Sequence, residues 1–299
     1  MDVTVPKKQE TPEGATAAKA IYKRARRINL SNLWTYLILG SWSLIVLFPV
    51  WTMLVNSFKP KRDIFRDPFW LPQEFTLEGY QNALGAGRFD LFFRNSLIVT
   101  IVSLSLILFM GSLAAYALAR WNSRTSKGLY LLFILGMLIP IRLGTISIIE
   151  LVKVLKLNDS LAGLIPIYVA MGLPIAILVI TAFIRSLPKE LIDAATIDGA
   201  SEWQVYLTII LPLIRPALST VAIFNLVPIW NDFWFPLILI RKEAYRTVPL
   251  GVSLLFGQYQ TNWNNILSAL SLASLPIIIL YLLMASQFIK GLTAGAVKG

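Results

Sequence analysis

The side chains that most often carry out chemistry are scarce in this sequence. The chain of 299 residues contains no histidine and no cysteine, which excludes the commonest metal ligand, the usual acid–base group at neutral pH and any thiolate site. Away from the ends of the long apolar segments, the carboxylates reduce to Asp232. The remaining polar residues therefore offer recognition, through ion pairs, hydrogen bonds and aromatic stacking.

The largest group of acids lies in a polar insert at residues 187–212. Four carboxylates occur there, but only two cations lie nearby. The carboxylates are Glu190, Asp193, Asp198 and Glu202. An exposed acidic segment can bind a basic groove on a soluble partner, where charge provides orientation and specificity more than affinity. The alternative is an interfacial loop whose charges keep it out of the bilayer. Residue types alone leave both interpretations open.

The insert is predicted to form two short helices joined by a bend. Pro188 suits a first helical turn, where its missing N–H is not needed. Gly199 can adopt the left-handed conformation that ends a helix, and Ser201 with Gln204 fits a capping box that starts the next helix. Because Pro212 then stands at the start of an apolar segment, we expect a helix–turn–helix elbow at the entrance to a membrane span.

A second set of polar and aromatic residues lies within two apolar segments. The candidates for a solute path are Asn225, Trp230, Asn231, Asp232, Trp234 and Arg142. The amide and carboxylate groups can hydrogen-bond a polyhydroxylated solute, and the indoles can stack on a sugar ring. A buried arginine costs at least about 2.5 kcal/mol on insertion scales, so Arg142 should face protein or water. The alternatives are an outer-leaflet interface for the tryptophans and an interfacial position for Arg142.

The composition predicts an all-α polytopic membrane protein. The chain is 56% hydrophobic and 14% charged, with a mean hydropathy of +0.67, which is too apolar for a soluble domain. Six transmembrane helices are predicted, at about residues 34–55, 95–118, 128–151, 161–183, 213–240 and 266–288. They make up a domain at residues 31–289, preceded by a basic segment at 1–30 and followed by a tail at 290–299.

The distribution of charge predicts the orientation of the chain. Basic residues are enriched on the cytoplasmic side of membrane proteins, which places both termini and the 187–212 elbow in the cytoplasm. The net charge of +11 is then explained by residues flanking the spans and by anionic lipid. We therefore expect a membrane partner and no nucleic acid.

The residue order in the insert resembles the Glu-Ala-Ala loop of the membrane subunits of bacterial ABC importers. The matching positions are Asp193, Ala194, Ala195, Gly199, Ile209, Leu211 and Pro212, and we add Glu190, Asp198 and Ala200 as neighbouring coupling residues. In that family the loop docks into a groove on a cytoplasmic ATPase subunit. The first position departs from the family pattern, because Asp193 stands for glutamate and is one methylene shorter.

Four further stretches resemble carbohydrate importers of this family, in particular the second permease of maltose-type systems. They are the outer-loop sequences Asn56–Lys59 and Pro68–Pro72, the phrase Ala114–Arg120, and the tail from Gly291 to Gly299. In the family the tail reaches toward the ATPases, which gives Gly295 and Lys298 an implied place near them. The alternative is a frayed terminus.

The resemblance implies a non-catalytic permease subunit of an importer in the cytoplasmic (inner) membrane. The implied partners are a second homologous permease in a heterodimer, two ATPase subunits, an external solute-binding protein and membrane lipid. No cofactor is expected on this chain, since ATP and Mg belong to the ATPase subunits. The sequence agrees with this, because it has no Gly-rich phosphate-binding loop followed by Lys-Ser or Lys-Thr.

Two other classes were weighed against this interpretation. An ion-coupled secondary carrier needs paired buried charges and commonly has inverted repeats. A membrane-embedded enzyme needs convergent acids or bases at one depth. The solute is not specified by the sequence, and saccharides of any length, polyols and glycosylated osmolytes are all compatible with it.

Overall fold

The computed structural model describes residues 33–121, 123–256 and 262–296, and only the backbone of residues 283–296. Within these ranges the chain is helical and has no strand, so the predicted all-α class is confirmed. The α-helices are α1 (Leu33–Ser57), α2 (Lys61–Arg66), α3 (Glu78–Leu84), α4 (Phe89–Arg120), α5 (Arg124–Leu138), α6 (Thr145–Val154), α7 (Leu161–Ser186), α8 (Glu190–Ile197), α9 (Glu202–Val205), α10 (Leu211–Leu213), α11 (Arg215–Trp230), α12 (Trp234–Leu239), α13 (Val248–Ser253) and α14 (Trp263–Ala296). The predicted segment 1–30 lies outside the described residues.

The chain divides into two compact units. The first ends at Met53 and, within the described residues, consists of the apolar helix α1 up to that residue. The second begins at Leu54 and contains the remaining elements. The site described below lies entirely in the second unit.

Four described helices are long and apolar enough to cross a membrane. They are α1, α4, α7 and the part of α14 from Trp263 to Leu282. The predicted segments 34–55, 95–118, 161–183 and 266–288 lie within these helices. Two bent helix pairs pass the same test when each pair is taken together, which brings the total to six if each pair forms one span.

The third predicted segment, 128–151, is broken at Pro140. Helix α5 ends at Leu138, a 3-10 turn follows at Ile141–Gly144, and the two halves are bent by 82°. Proline disfavours a helical conformation of the residue before it, and Ile139 is indeed extended, with φ −83° and ψ 115°. The predicted helix 128–151 therefore changes direction sharply at Pro140.

The fifth predicted segment, 213–240, is wrong as one continuous span. Helix α11 ends at Trp230 and a separate short helix, α12, begins at Trp234. The Asp232 carboxylate accepts a hydrogen bond from the backbone N–H of Phe235 at 3.1 Å, so it caps the first turn of α12. On the other side, α11 pairs with the helical residues Glu202–Leu213 at a bend of 71°.

Two prolines lie within α7 without breaking the helix. Pro166 and Pro174 both lie inside a continuous helix of 26 residues. Each proline removes one backbone donor, but its fixed φ is compatible with helix, and packing against neighbouring helices can compensate for the lost bond. Half of the most apolar window of α7 is buried, which supplies that packing.

The core is organised around the contact between α4 and α7, which is the most extensive one among the helices that the structure describes. At Gly111 the two backbones approach so closely that an added Cβ would lie 2.7 Å from the Cβ of Ala176. Small residues permit this packing in membrane helices. Ile107, Ile180 and Val221 are completely buried around it, which gives the elbow a rigid support.

Hydrogen bonds connect α14 with the end of α1 and the residues that follow it. The side-chain amide of Asn264 donates to the backbone carbonyls of Ser57 at 3.1 Å and Lys59 at 2.7 Å. The buried Lys59 ammonium in turn donates to the Asp67 carbonyl at 2.6 Å. The long loop predicted to lie outside the membrane is therefore ordered by hydrogen bonds between distant parts of the sequence.

Asp159 ties two loops together. Its Oδ1 atom accepts the backbone N–H groups of Lys242 and Arg241, both at 2.8 Å. These bonds, the one from Lys242 first, hold the pKa of the Asp159 carboxyl below its ordinary value. Because the pKa is lowered on folding, the stabilisation is complete above the unfolded value of about 3.9 and is lost as the pH falls through the folded value.

We expect Asp159→Ala to increase hydrogen exchange at the Arg241 and Lys242 amides several-fold, because both donors lose their acceptor. Asp159→Asn keeps one acceptor oxygen without the charge and should give an intermediate rate. Hydrogen–deuterium exchange measured by mass spectrometry, expressed as protection factors, tests this. In the unaltered protein, protection should decline as the pH is lowered below about 3.9. Full protection in Asp159→Ala would contradict the role of this carboxylate.

Candidate functional site

The predicted bend at Gly199 has the geometry of a Schellman motif. Gly199 has φ +81°, its N–H donates to the Thr196 carbonyl at 3.1 Å, and the N–H of Ala200 donates to the Ala195 carbonyl at 3.0 Å. These bonds satisfy carbonyls at the end of α8. No atom lies within 4 Å of the position that a Cβ would take at Gly199, so glycine is required there by conformation and not by space.

The predicted capping box restarts the helix. Ser201 accepts from the backbone N–H of Gln204 at 3.3 Å, and the side chain of Gln204 accepts from the backbone N–H of Ser201 at 2.8 Å. Pro188, by contrast, precedes the first turn instead of lying in it, because α8 begins at Glu190. The helix–turn–helix elbow of residues 187–212 is therefore present in the structure, with this small shift at its start.

The elbow continues into the core through a π-helical turn, Tyr206–Ile210. Pro212 lies two residues after this turn. A proline lacks the N–H that an α-helix needs and crowds the carbonyl four residues earlier. A wider turn relieves this crowding. Tyr206, Ile210 and Ile214 are buried in the main core cluster, so the second half of the elbow is a continuation of the packed interior.

A polar cluster fastens the elbow to the end of α4, and we call it the clip: Tyr116, Arg120 and Glu202. The Glu202 carboxylate accepts from the Tyr116 hydroxyl and from Arg120 Nε, the latter at 3.2 Å. Arg120 also lies 4.0 Å from the Asp193 carboxylate. One of the four predicted acids, Glu202, is therefore engaged within the chain instead of being free for a partner.

The outer surface of the elbow is uncovered. Glu190, Asp193 and Asp198 are exposed, and so is Ala194. Large apolar side chains accompany them, since Ile197 is 86% exposed and Trp203 is 54% exposed. This surface combines apolar and acidic side chains on a rigid support.

Sequence reasoning missed Tyr116, Arg120 and Tyr206. Tyr206 exchanges a hydrogen bond of 2.7 Å with Ser112 in the buried interior, and Tyr116 packs against its ring at 5.6 Å. One signal could have indicated them. The basic residue Arg120 follows an apolar segment whose end is predicted on the same side of the membrane as the acidic insert. The partners are 82 and more residues apart, so spacing alone does not pair them.

A cavity of about 580 Å³ lies beside α7 and α11. Of the predicted path residues in the described chain, only Asn225 lines it. Asn225 is buried and donates to the Val221 carbonyl of its own helix at 2.9 Å. Tyr168 also lines the cavity, and its hydroxyl donates to Asp232 at 2.9 Å. Asp232 therefore holds the hydroxyl of Tyr168 in the cavity wall by a hydrogen bond and also caps α12.

The other path candidates lie elsewhere. Trp230 is buried in a second core cluster, and its indole N–H donates to the Ala273 carbonyl at 3.1 Å. Arg142 lies in the turn that breaks the third segment, with its guanidinium 5.7 Å from the Trp234 ring centre. The Trp234 indole N–H donates to Thr145 Oγ1 at 3.3 Å. Asn231 follows the last residue of α11 and is exposed.

Two of the predicted coupling residues belong to the C-terminal tail. Gly295 lies near the end of α14, and Lys298 lies outside the described residues. Among the other predicted coupling residues, Ala195, Ala200 and Leu211 are half-buried, and Pro212 is exposed.

Comparison with known proteins identifies the family. The family model of the binding-protein-dependent transport system inner membrane component matches residues 107–294. The chain is 39% identical to ORF2 of Caldicellulosiruptor sp. over 273 residues, covering 91% of this chain and 99% of that protein. It is 33% identical to the diacetylchitobiose uptake system permease protein DasC of Streptomyces coelicolor, covering 85% of this chain and 92% of DasC.

A solved structure has the same fold. A chain in the crystal structure of a bacterial ABC transporter involved in the import of the acidic polysaccharide alginate matches with a TM-score of 0.75 at 20% identity, over 87% of this chain and 96% of that chain. The family match covers both the clip and the elbow, from Tyr116 to Pro212. The chain belongs to the family of inner membrane components of binding-protein-dependent transport systems.

Proposed function

We propose that this chain is one transmembrane subunit of an ATP-driven importer, and that it passes a carbohydrate or related polyhydroxylated solute across the cytoplasmic membrane by alternating access. The observation that carries the proposal is the construction of the elbow. Its first helix presents exposed acidic and apolar side chains, while its second half is part of the buried core. A force applied to the exposed half is therefore transmitted directly to the packed core through the second half of the elbow.

The elbow is the proposed docking segment for an ATPase subunit. Glu190, Asp193 and Asp198 would face basic groups of that subunit, and Ile197 and Trp203 would supply buried apolar contact. Closure of the ATPases around ATP and Mg would displace the elbow as a rigid body. The two bent pairs next to the cavity, bent by 82° and 71°, are the places where the helices can change their relative angle.

The proposed topology has six spans, with the elbow and both termini in the cytoplasm. It counts each bent pair as one span and follows the positive-inside distribution of Arg120, Arg124 and Lys127. The proposed assembly contains a second homologous permease, two ATPase subunits and an external solute-binding protein. The family description, binding-protein-dependent transport, supports the last of these partners.

A carbohydrate is the proposed solute because the named relative DasC is a diacetylchitobiose permease and because the cavity wall carries hydrogen-bonding groups. Asn225 and the Tyr168–Asp232 pair provide them on an otherwise apolar surface. Sugars are bound by such a combination of apolar walls and a few polar groups. In the proposed pathway the second permease supplies the remaining contacts.

The proposed function is tested by reconstituting the complex with its ATPases and external binding protein, and measuring solute-stimulated ATP hydrolysis over a panel of saccharides and polyols. We expect one chemical class to stimulate hydrolysis and to be taken up. Stimulation by no member of the panel, in a complex whose basal ATPase activity is intact, would contradict a carbohydrate importer.

Gly199→Trp should uncouple ATP hydrolysis from uptake while membrane insertion stays intact. A side chain at φ +81° costs about 1–2 kcal/mol in backbone conformation, and the indole adds bulk on the docking surface. Gly128→Trp is the matched control, since it adds the same bulk in α5 where a Cβ also meets nothing within 4 Å. The ratio of solute imported to ATP hydrolysed measures coupling. Unchanged uptake in Gly199→Trp would remove the coupling role.

Glu202→Ala should also lower this ratio, because the clip orients the elbow. The variant leaves the buried Tyr116 hydroxyl without its acceptor, which costs about 1–3 kcal/mol, whereas the partly exposed ion pair with Arg120 contributes only about 0–1 kcal/mol. Tyr116→Phe in the Glu202→Ala background should therefore recover part of the lost stability. Glu150→Ala, at an exposed acid of α6, is the control. Wild-type coupling in Glu202→Ala would show that the clip is dispensable.

A further inference from the structure

A basic cavity lies on the inner side of the elbow and is not used by the proposed transport mechanism. Its volume is about 540 Å³, within the range of small-molecule sites. It is bounded by the ends of α4 and α7, the start of α5 and the start of α8. Its charged lining residues are four cations and one carboxylate, namely Arg120, Lys127, Arg185, Lys189 and Asp193.

Two of these cations have no partner within the described chain. Arg120 is occupied by the clip, and Arg185 donates to the Leu118 carbonyl at 3.2 Å while its guanidinium lies 4.9 Å from the Tyr130 ring centre. The side-chain ammonium groups of Lys127 and Lys189 make no hydrogen bond or ion pair with any residue that the structure describes. Two unpaired ammonium groups and the Arg185 guanidinium, all in the lining of one cavity, are complementary to a phosphate group.

The surroundings of the cavity favour a phosphate that carries acyl chains. Helix α5, which starts at the cavity, buries none of its side chains in this chain. Leu129, Leu132 and Leu135 are 45%, 62% and 49% exposed, so an apolar surface leads away from Lys127 along α5. In the proposed topology the cavity opens at the cytoplasmic leaflet, where anionic lipids are attracted by clustered lysine and arginine.

We propose that this cavity binds the phosphate headgroup of an anionic phospholipid, with Lys127 and Lys189 as its principal ligands and the acyl chains lying along α5. Lys189 immediately precedes α8, so the headgroup joins the start of the elbow to α5. The lipid thereby restrains the elbow on the side opposite its exposed surface. The inference rests on the proposed topology, and its test is a binding measurement that does not require transport.

The test uses the purified full-length chain with the subunits that accompany it, titrated with phosphatidylglycerol or phosphatidylcholine and analysed by native mass spectrometry. We expect tight binding of phosphatidylglycerol over phosphatidylcholine. Lys127→Gln and Lys189→Gln should each weaken it about fivefold, and the double variant about 25-fold, from about 1 kcal/mol per cation. Both lysines are exposed, and size-exclusion profiles verify that the variants are folded.

Two further variants separate this site from general surface charge. Arg124→Gln removes an exposed cation three residues before Lys127 that does not line the cavity, and it should leave affinity unchanged. Lys127→Arg keeps the charge and should retain binding. Equal affinity of the double variant and the unaltered protein, or equal binding of the two lipids, would overturn the proposal.

A second arm distinguishes the lipid from free phosphate. Inorganic phosphate at millimolar concentration should displace little phosphatidylglycerol, because it lacks the acyl contact along α5. Complete displacement would mean that the cavity recognises phosphate alone, and it would overturn the lipid assignment. Failure of the transport proposal gives a different result: solute does not stimulate ATP hydrolysis, while phosphatidylglycerol binding is intact.

Discussion

The hydrogen bonds between Glu202 and the end of α4 fix the direction in which the elbow leaves the core. The carboxylate accepts from Tyr116, a residue whose side chain is buried, and from Arg120, which is partly exposed. A buried hydroxyl needs a partner, and this requirement makes the contact directional. Without it, the first half of the elbow would be positioned only by the bend at Gly199 and by the packing of Ile192 and Ala195 against the core.

Local features of the elbow were predictable because their physics is local. A glycine at positive φ and a serine three residues before a glutamine act within a few residues of themselves, and both appear as expected. The same holds for the break at Pro140, where the ring constrains its neighbour. Composition was equally informative about the membrane class, since every apolar helix must satisfy its own backbone bonds in lipid.

Contacts between distant residues were not predictable from one sequence. The clip joins residues 82 and 86 apart, and Trp230 was placed on the solute path when it packs against α14. Trp230 shows the difficulty clearly, because an indole suits a sugar face and a buried core equally well. Asp232 misled in a related way: a carboxylate among apolar residues indicates function by default, but this one also caps a helix and thereby ends the fifth segment early.

The two proposed surfaces of the elbow have opposite charge, and this contrast gives them different partners. The exposed outer surface carries carboxylates and suits a basic groove, whereas the inner cavity carries ammonium groups and suits a phosphate. Arg120 stands between them, paired with Glu202 and 4.0 Å from Asp193. A partner that binds Asp193 competes for the same carboxylate as Arg120, and an Arg120 released from it gains attraction for a phosphate in the cavity. In the proposed mechanism, docking at the outer surface and lipid binding in the cavity would be coupled through the Arg120 guanidinium, and by thermodynamic reciprocity each would strengthen the other.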